Sequence, residues 1–190
     1  MDSTEAYEHH AYDFLRNRDK SLIGSKVVER WAHRFSKDAS ILELGCGGGE
    51  PVTRILHTAG LKLWAVDSSP TLVKAFKARF SSIPVQCSKA QESDFFNQTY
   101  DGVIAIGLIF LLPKAEQLEL IANISNRLKP GGQFLFTAPT ETGSWVDINT
   151  GLTCESLGQA AYENCIKDAG LSTMATFTDA GSNNYYDTKK

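Results

Sequence analysis

The fold of this chain turns on Ile41-Leu42-Glu43-Leu44-Gly45-Cys46-Gly47-Gly48-Gly49-Glu50. Apolar residues at 41, 42 and 44 surround one carboxylate, a run of glycines follows, and an amphipathic segment begins at Pro51. A short apolar run closed by glycine reads as a buried strand. Glycines let the backbone turn sharply and approach a ligand with no Cβ in the way. The helix behind them presents unpaired N–H groups at its start. The stretch therefore reads as a loop for a nucleotide-like ligand at the carboxyl end of a first strand.

The flanking sequence repeats the pattern. Ile23, Val27, Trp31 and Phe35 recur every four residues and predict a helix from Ser21. Val52, Ile55, Leu56 and Ala59 mark one face of the helix after the loop, with Pro51 in its first turn and Gly60 at its end. Further strands are predicted over 61–67, 83–87, 101–106 and 133–138, with helices over 70–80 and from Pro113 to Leu128 between them. Lys129-Pro130-Gly131-Gly132 stops the last of these helices. Residues 139–155 read as irregular, 157–169 as a helix, and 171–178 with 184–188 as a hairpin. Five strand–helix alternations and a closing hairpin predict an α/β fold. Its doubly wound, mostly parallel seven-stranded sheet has helices on both faces and a terminal antiparallel hairpin, in one domain over 1–190.

Bulk properties narrow the function. A chain of 190 residues with 42% hydrophobic and 22% charged content builds one core. A net charge of −3, with no Lys/Arg run longer than two, gives no reason to expect a nucleic-acid partner. Cysteines 46, 87, 154 and 165 lack CxxC spacing and nearby histidines, so neither a metal site nor a disulfide framework is expected. No secretory leader or membrane span is legible, and a cytoplasmic protein is expected. The aromatic-rich segment over 1–20 reads as a lid packed on the rest.

The dinucleotide fingerprint needs a small third residue beneath a pyrophosphate, and counting from Gly45 that position is Glu50, whose charge two phosphates would repel. The rival pattern, acidic-x-Gly-x-Gly-x-Gly, is met throughout by Glu43-Leu44-Gly45-Cys46-Gly47-Gly48-Gly49. This resembles the first motif of class I S-adenosylmethionine-dependent methyltransferases, which have a Rossmann-like fold. A carboxylate there can bind the methionine ammonium, directly or through water, and favours a sulfonium nearby. Asp67 ends the second strand and resembles the family's acid for the ribose hydroxyls, with Ser68 beside it. Tyr100-Asp101-Gly102-Val103-Ile104-Ala105-Ile106 resembles the fourth strand, and Arg127-Leu128-Lys129-Pro130-Gly131-Gly132-Gln133-Phe134 the turn into the fifth. The resemblance covers roughly residues 12–188 and is strongest over 40–138. It departs after the third strand, where Ser88-Lys89-Ala90-Gln91-Glu92 puts a lysine at the position of the family's adenine-reading acid. Lysine cannot accept a hydrogen bond, so the adenine falls to backbone at Ala90 and Gln91, or to the Gln91 side chain.

The resemblance implies S-adenosylmethionine as methyl donor, S-adenosylhomocysteine as product, and Arg18, Glu43, Gly45, Cys46, Gly47, Asp67, Ser68, Ala90, Gln91 and Ile106 as the cofactor site. Ile106-Gly107-Leu108-Ile109-Phe110 lacks the Asn/Asp-Pro-Pro-aromatic run of DNA amino methylation, and no Pro-Cys pair occurs. An apolar mouth of this kind suits a small organic molecule methylated at oxygen or nitrogen. Tyr12, Phe110, Trp145 and Asn184 are candidate substrate contacts, with Asp147 facing the same crevice. His9, His10 and Tyr186 are candidate bases, although alignment alone can drive methyl transfer. Arg18 reads equally as a partner for the methionine carboxylate or as a solvated side chain, and Trp145 as a platform or a core plug. Tyr185 and Tyr186 alternate faces, so one packs and the other reaches the pocket. A monomer or homodimer is expected. The alternative is a protein that binds S-adenosylmethionine without transferring its methyl, as a sensor or in a cofactor-assisted rearrangement.

Overall fold

The computed structural model describes residues 3–147 and 150–190. In chain order its elements are α1 (Ser3–His9), α2 (Ala11–Arg18), α3 (Ser25–Ala32), β1 (Ser40–Leu44), α4 (Val52–Thr58), β2 (Lys62–Asp67), α5 (Pro70–Arg79) and β3 (Val85–Cys87). There follow β4 (Tyr100–Ala105), α6 (Lys114–Arg127), β5 (Leu128–Thr137), β6 (Thr142–Val146), β7 (Thr153–Leu157), α7 (Gln159–Asp168), β8 (Ser172–Thr178) and β9 (Asn184–Lys189). Seven strands form one sheet in the order β3-β2-β1-β4-β5-β9-β8. The first five are parallel, and β9 and β8 run antiparallel as the expected hairpin.

Strand alternation sends side chains into two cores. Leu42, Leu44, Val103, Phe134 and Tyr186 pack with α6 and α7, through Leu120, Ile124 and Tyr162. Ile41, Ile104, Leu135 and Tyr185 pack on the opposite face with Val28, Trp31, Leu56 and Phe76 from α3, α4 and α5. Apolar side chains on both faces explain why the central strands read as continuous hydrophobic runs.

Three boundaries differ from the sequence expectation. The helix expected from Ser21 starts at Ser25, and Ile23 stands half exposed ahead of it. Residues 139–155, expected to be irregular, contain the antiparallel ribbon β6–β7, with Thr142 opposite Leu157 and Val146 opposite Thr153. Every residue of β6 is exposed, so no hydrophobic alternation marks it. Leu157 accordingly ends β7, and α7 begins two residues later. Finally, β5 begins at Leu128, which pairs with Tyr100 before a register shift carries the chain on to Gln133 opposite Gly102. The Lys-Pro-Gly-Gly turn is thus an irregularity inside a strand.

Candidate functional site

The carboxyl ends of the parallel strands border a cavity of about 340 Å³. Gly45, Asp67 and Ser68 come from the ends of β1 and β2, Ala90 and Gln91 from the turn after β3, and Ile106, Leu108 and Phe110 from the segment after β4. Helices α1 and α2 form a further wall through Tyr7, Phe14 and Arg18. The loop's shape follows from its backbone bonds. Gly45 and Cys46 both donate N–H to the Val66 carbonyl, at 2.8 and 3.2 Å, which folds the loop across β2. Gly47 adopts φ +55°, and a Cβ there would lie 2.9 Å from Cε1 of Phe14. The absence of a side chain lets α2 close on the loop.

Asp67 is buried at the end of β2. Its Oδ2 accepts from the Gly47 N–H at 2.7 Å and its Oδ1 from the Ser69 N–H at 3.0 Å. Burial pushes its carboxyl pKa up, against the opposing pull of these bonds. Each oxygen keeps lone-pair capacity for a further donor from the cavity.

Glu43 sits elsewhere. Alternation along β1 turns it to the face of Ile41, under α4, where Oε2 accepts from the Thr53 hydroxyl at 2.6 Å. It borders a separate pocket of about 40 Å³, whose walls include Phe14, Arg18, Gly45, Cys46 and Ile106. Phe14, Arg18, Gly45 and Ile106 also border the main cavity, so the two spaces adjoin. Burial raises the Glu43 pKa to about 8, with Asp67 adding to the effect. Cys46 is buried in the same wall, and burial raises its thiol well above its ordinary range. Glu50, expected to repel a pyrophosphate, pairs with Arg54, its Oε1 accepting from Nε at 3.0 Å and from Nη2 at 2.7 Å.

Arg18 lies between the two spaces, its guanidinium donating to the Ile23 carbonyl at 3.4 Å. Burial lowers its pKa, while Tyr185, Glu43 and Asp179 pull the other way. Gln91 lines the cavity, but its Nε2 donates to Glu116 at 2.6 Å, which leaves the amide oxygen for a ligand.

Other candidates lie away from the cavity wall. Tyr12 is 76% exposed, and neither His9 nor His10 lines the cavity. Tyr186, a candidate base, packs instead in the core, stacked on Phe136 at 4.9 Å, and its buried hydroxyl has no hydrogen-bond partner among the described residues. Tyr185 is the tyrosine that reaches the cavity, held by a 2.9 Å bond from its hydroxyl to Asp179. Asn184 bonds Thr178 at the hairpin, and its neighbour Asn183 lines the cavity in its place. Trp145 does not line the wall but lies 5.5 Å from the ring of Phe110, which does. Sequence reading missed Ser3, Thr4 and Tyr7 as wall residues. Their i, i+1, i+4 spacing on a helix face was the available signal. No group of His, Cys, Asp and Glu among the described residues could hold a metal ion.

Residues 41–132 match a family described as a methyltransferase domain. The hybrid PKS-NRPS synthetase traA of Penicillium crustosum is 26% identical over 175 residues, which is 83% of this chain and 4% of that protein. A carboxy-S-adenosyl-L-methionine synthase of Cronobacter sakazakii is 33% identical over 120 residues, 58% of this chain and 48% of its own length. The chain thus spans less than half of each of these relatives. Among solved structures, a glycopeptide N-methyltransferase superposes with a TM-score of 0.72 at 16% identity, covering 88% of this chain and 96% of the other. The sheet order and the glycine loop give the fold of class I methyltransferases, and residues 41–132 within it carry the methyltransferase-domain match.

Proposed function

We propose that this chain transfers a methyl group from S-adenosylmethionine to an oxygen or nitrogen of a small organic molecule, mainly by holding the two in line. The observation that carries this reading is one cavity where the glycine loop and Asp67 share a wall with the apolar segment Leu108–Phe110. When bound, S-adenosylmethionine supplies an electrophilic methyl on a cationic sulfur and leaves as S-adenosylhomocysteine.

The residues present fit that group. Asp67, fixed by two backbone donors, retains acceptor capacity for two ribose hydroxyls. The backbone of Ala90 and the Gln91 amide oxygen face an adenine. Arg18 matches a carboxylate, and Glu43 beside it matches an ammonium reached through the smaller pocket. Roofing by α1 and α2 keeps bulk water away while the acceptor is aligned, and alignment can supply several kcal/mol of the barrier. Among the described residues no histidine lines the cavity, so transfer through a histidine base is no part of this reading.

Calorimetric titration with S-adenosylhomocysteine and with NADH tests the ligand class. Micromolar binding of the first and none of the second is expected, and the reverse result sinks the reading. A second reading is favoured by the likeness to a carboxy-S-adenosyl-L-methionine synthase, a protein named for modifying the cofactor itself. Here the chain would bind S-adenosylmethionine for a rearrangement. A labelled-methyl assay over a metabolite panel separates them: tight binding with no labelled acceptor supports the second.

A further inference from the structure

Among the polar side chains of the cavity that the assignments above do not use are a phenol and a carboxylate, those of Tyr7 and Asp147. Tyr7 enters from α1 and Asp147 from the end of the β6–β7 ribbon, 140 positions apart in sequence. We infer that Tyr7 and Asp147 form the polar end of the acceptor subsite, and that the acceptor presents an amine. This deepens the proposed methyl transfer and rests on it.

The carboxylate is held by its own loop. Asp147 Oδ2 accepts from the Thr150 N–H at 3.1 Å and from the Thr150 hydroxyl at 2.6 Å. The Asp147 N–H donates to the Leu152 carbonyl at 2.8 Å, and its carbonyl accepts from Gly151 at 2.8 Å. Trp145 on β6 meets Phe110, which anchors the ribbon against the apolar wall. Across the cavity, the Tyr7 ring packs edge-on to Phe14 at 5.5 Å. Burial, and then Asp147, hold its hydroxyl protonated. The subsite therefore pairs an acceptor-only carboxylate with a phenol that donates or accepts, beside an aromatic platform.

This chemistry discriminates between acceptors. A carboxylate or phosphate acceptor at this end would meet the charge of Asp147 and be repelled, while the cations of the same wall are engaged elsewhere, Lys89 with Glu92 at 3.8 Å and Arg18 with the donor's carboxylate. A hydroxyl acceptor must lose its proton as it attacks, and carboxylates are weak bases for that task. An amine needs no base in the transfer step. It is attracted as an ammonium, releases one proton to bulk water, and points its remaining N–H bonds at Asp147 and Tyr7. The nitrogen lone pair then forms the N–C bond while the C–S bond breaks and leaves its electron pair on sulfur. The resulting ammonium gives its proton to water. The glycopeptide N-methyltransferase shows that the same fold supports nitrogen acceptors.

The test uses the intact chain loaded with S-adenosylhomocysteine and titrated with benzylamine, benzyl alcohol and benzoate. Wild type is expected to bind benzylamine about tenfold tighter than the other two, the scale of one charge-assisted hydrogen bond. Asp147→Asn, which keeps the acceptor oxygen for Thr150, should abolish that preference. Tyr7→Phe should weaken it about threefold. S-adenosylhomocysteine affinity in both variants should stay within twofold, which distinguishes loss of the subsite from loss of fold. Equal or tighter binding of benzoate, or a preference that survives Asp147→Asn, overturns the inference while leaving methyl transfer standing. Failure of wild type to bind S-adenosylhomocysteine overturns both.

Discussion

Glu43→Gln should change how stability depends on pH. Glu43 is buried on the α4 side of β1, where its one side-chain hydrogen bond among the described residues comes from the Thr53 hydroxyl, and burial raises its pKa from 4.5 to about 8. Below pH 4.5 the folded and unfolded states both hold the proton, and the carboxyl costs nothing extra. Between 4.5 and about 8 the unfolded chain releases it while the fold keeps it. Stability therefore falls by about 1.36 kcal/mol per pH unit through that window, then levels off. The full gap corresponds to roughly 5 kcal/mol. A glutamine has no proton to exchange. Its amide oxygen can still accept from Thr53, and any cost of its buried N–H groups is the same at every pH. Urea unfolding of the ligand-free protein at pH 5, 6.5, 8 and 9 gives both curves. Wild type should lose several kcal/mol more than Glu43→Gln between pH 5 and 8, with equal m-values. Parallel curves would refute the reasoning and place an ionised Glu43 in the fold throughout.

Further expectations test other parts of the site. Asp67→Asn removes the charge that orients Gly47 and faces the proposed ribose. S-adenosylhomocysteine should bind roughly a hundredfold more weakly, from about two charge-assisted hydrogen bonds; calorimetry within threefold of wild type would remove Asp67 from the site. Tyr186→Phe deletes a buried hydroxyl that has no hydrogen-bond partner among the described residues. The variant should be as stable as wild type or about 1 kcal/mol more stable, with methyl transfer unchanged. Loss of transfer at unchanged Tm would contradict its place in the core. Gly49→Ala sets a Cβ at φ +89° and 2.3 Å from Cε2 of Phe80, so a loss of about 2–3 kcal/mol is expected by urea unfolding. On the roof, Asp19 pairs with both Arg79 nitrogens at 2.8 and 2.7 Å, and Arg79 also donates to the Gly48 carbonyl at 3.1 Å. Arg79→Ala should cost under about 1 kcal/mol globally, because the pair is partly exposed. It should nonetheless speed proteolysis within 3–20, and an unchanged cleavage rate would argue against a roof held from α5.

Much of the site was legible because it is built on backbone. The glycine loop needs residues without Cβ, and a strand end fixes Asp67, so motif and spacing together located both. Phe110 follows from the end of the fourth strand, whereas Arg18, which the sequence leaves equally open as a solvated side chain, is placed on the cavity wall only by the packing of α2. Residues whose role depends on which face they occupy were not so readable. Tyr185 and Tyr186 were known to point apart, but the choice belongs to the order in which β9 pairs with β5 and β8. The same one-residue ambiguity exchanged Asn184 for Asn183.

By itself, the sequence determined the class of fold and the nature of the loop. Strand length, apolar runs on both faces and glycine placement are local properties that a linear reading captures. Only the tertiary structure decided that Glu43 lies under α4 with Thr53, apart from the main cavity. It also showed that an exposed stretch without hydrophobic alternation forms the β6–β7 ribbon, and that Tyr7 and Asp147 face one space from 140 residues apart. Those facts depend on pairing register and on contacts distant in sequence. A local pattern carries no record of them, because their energies arise only when separate elements pack.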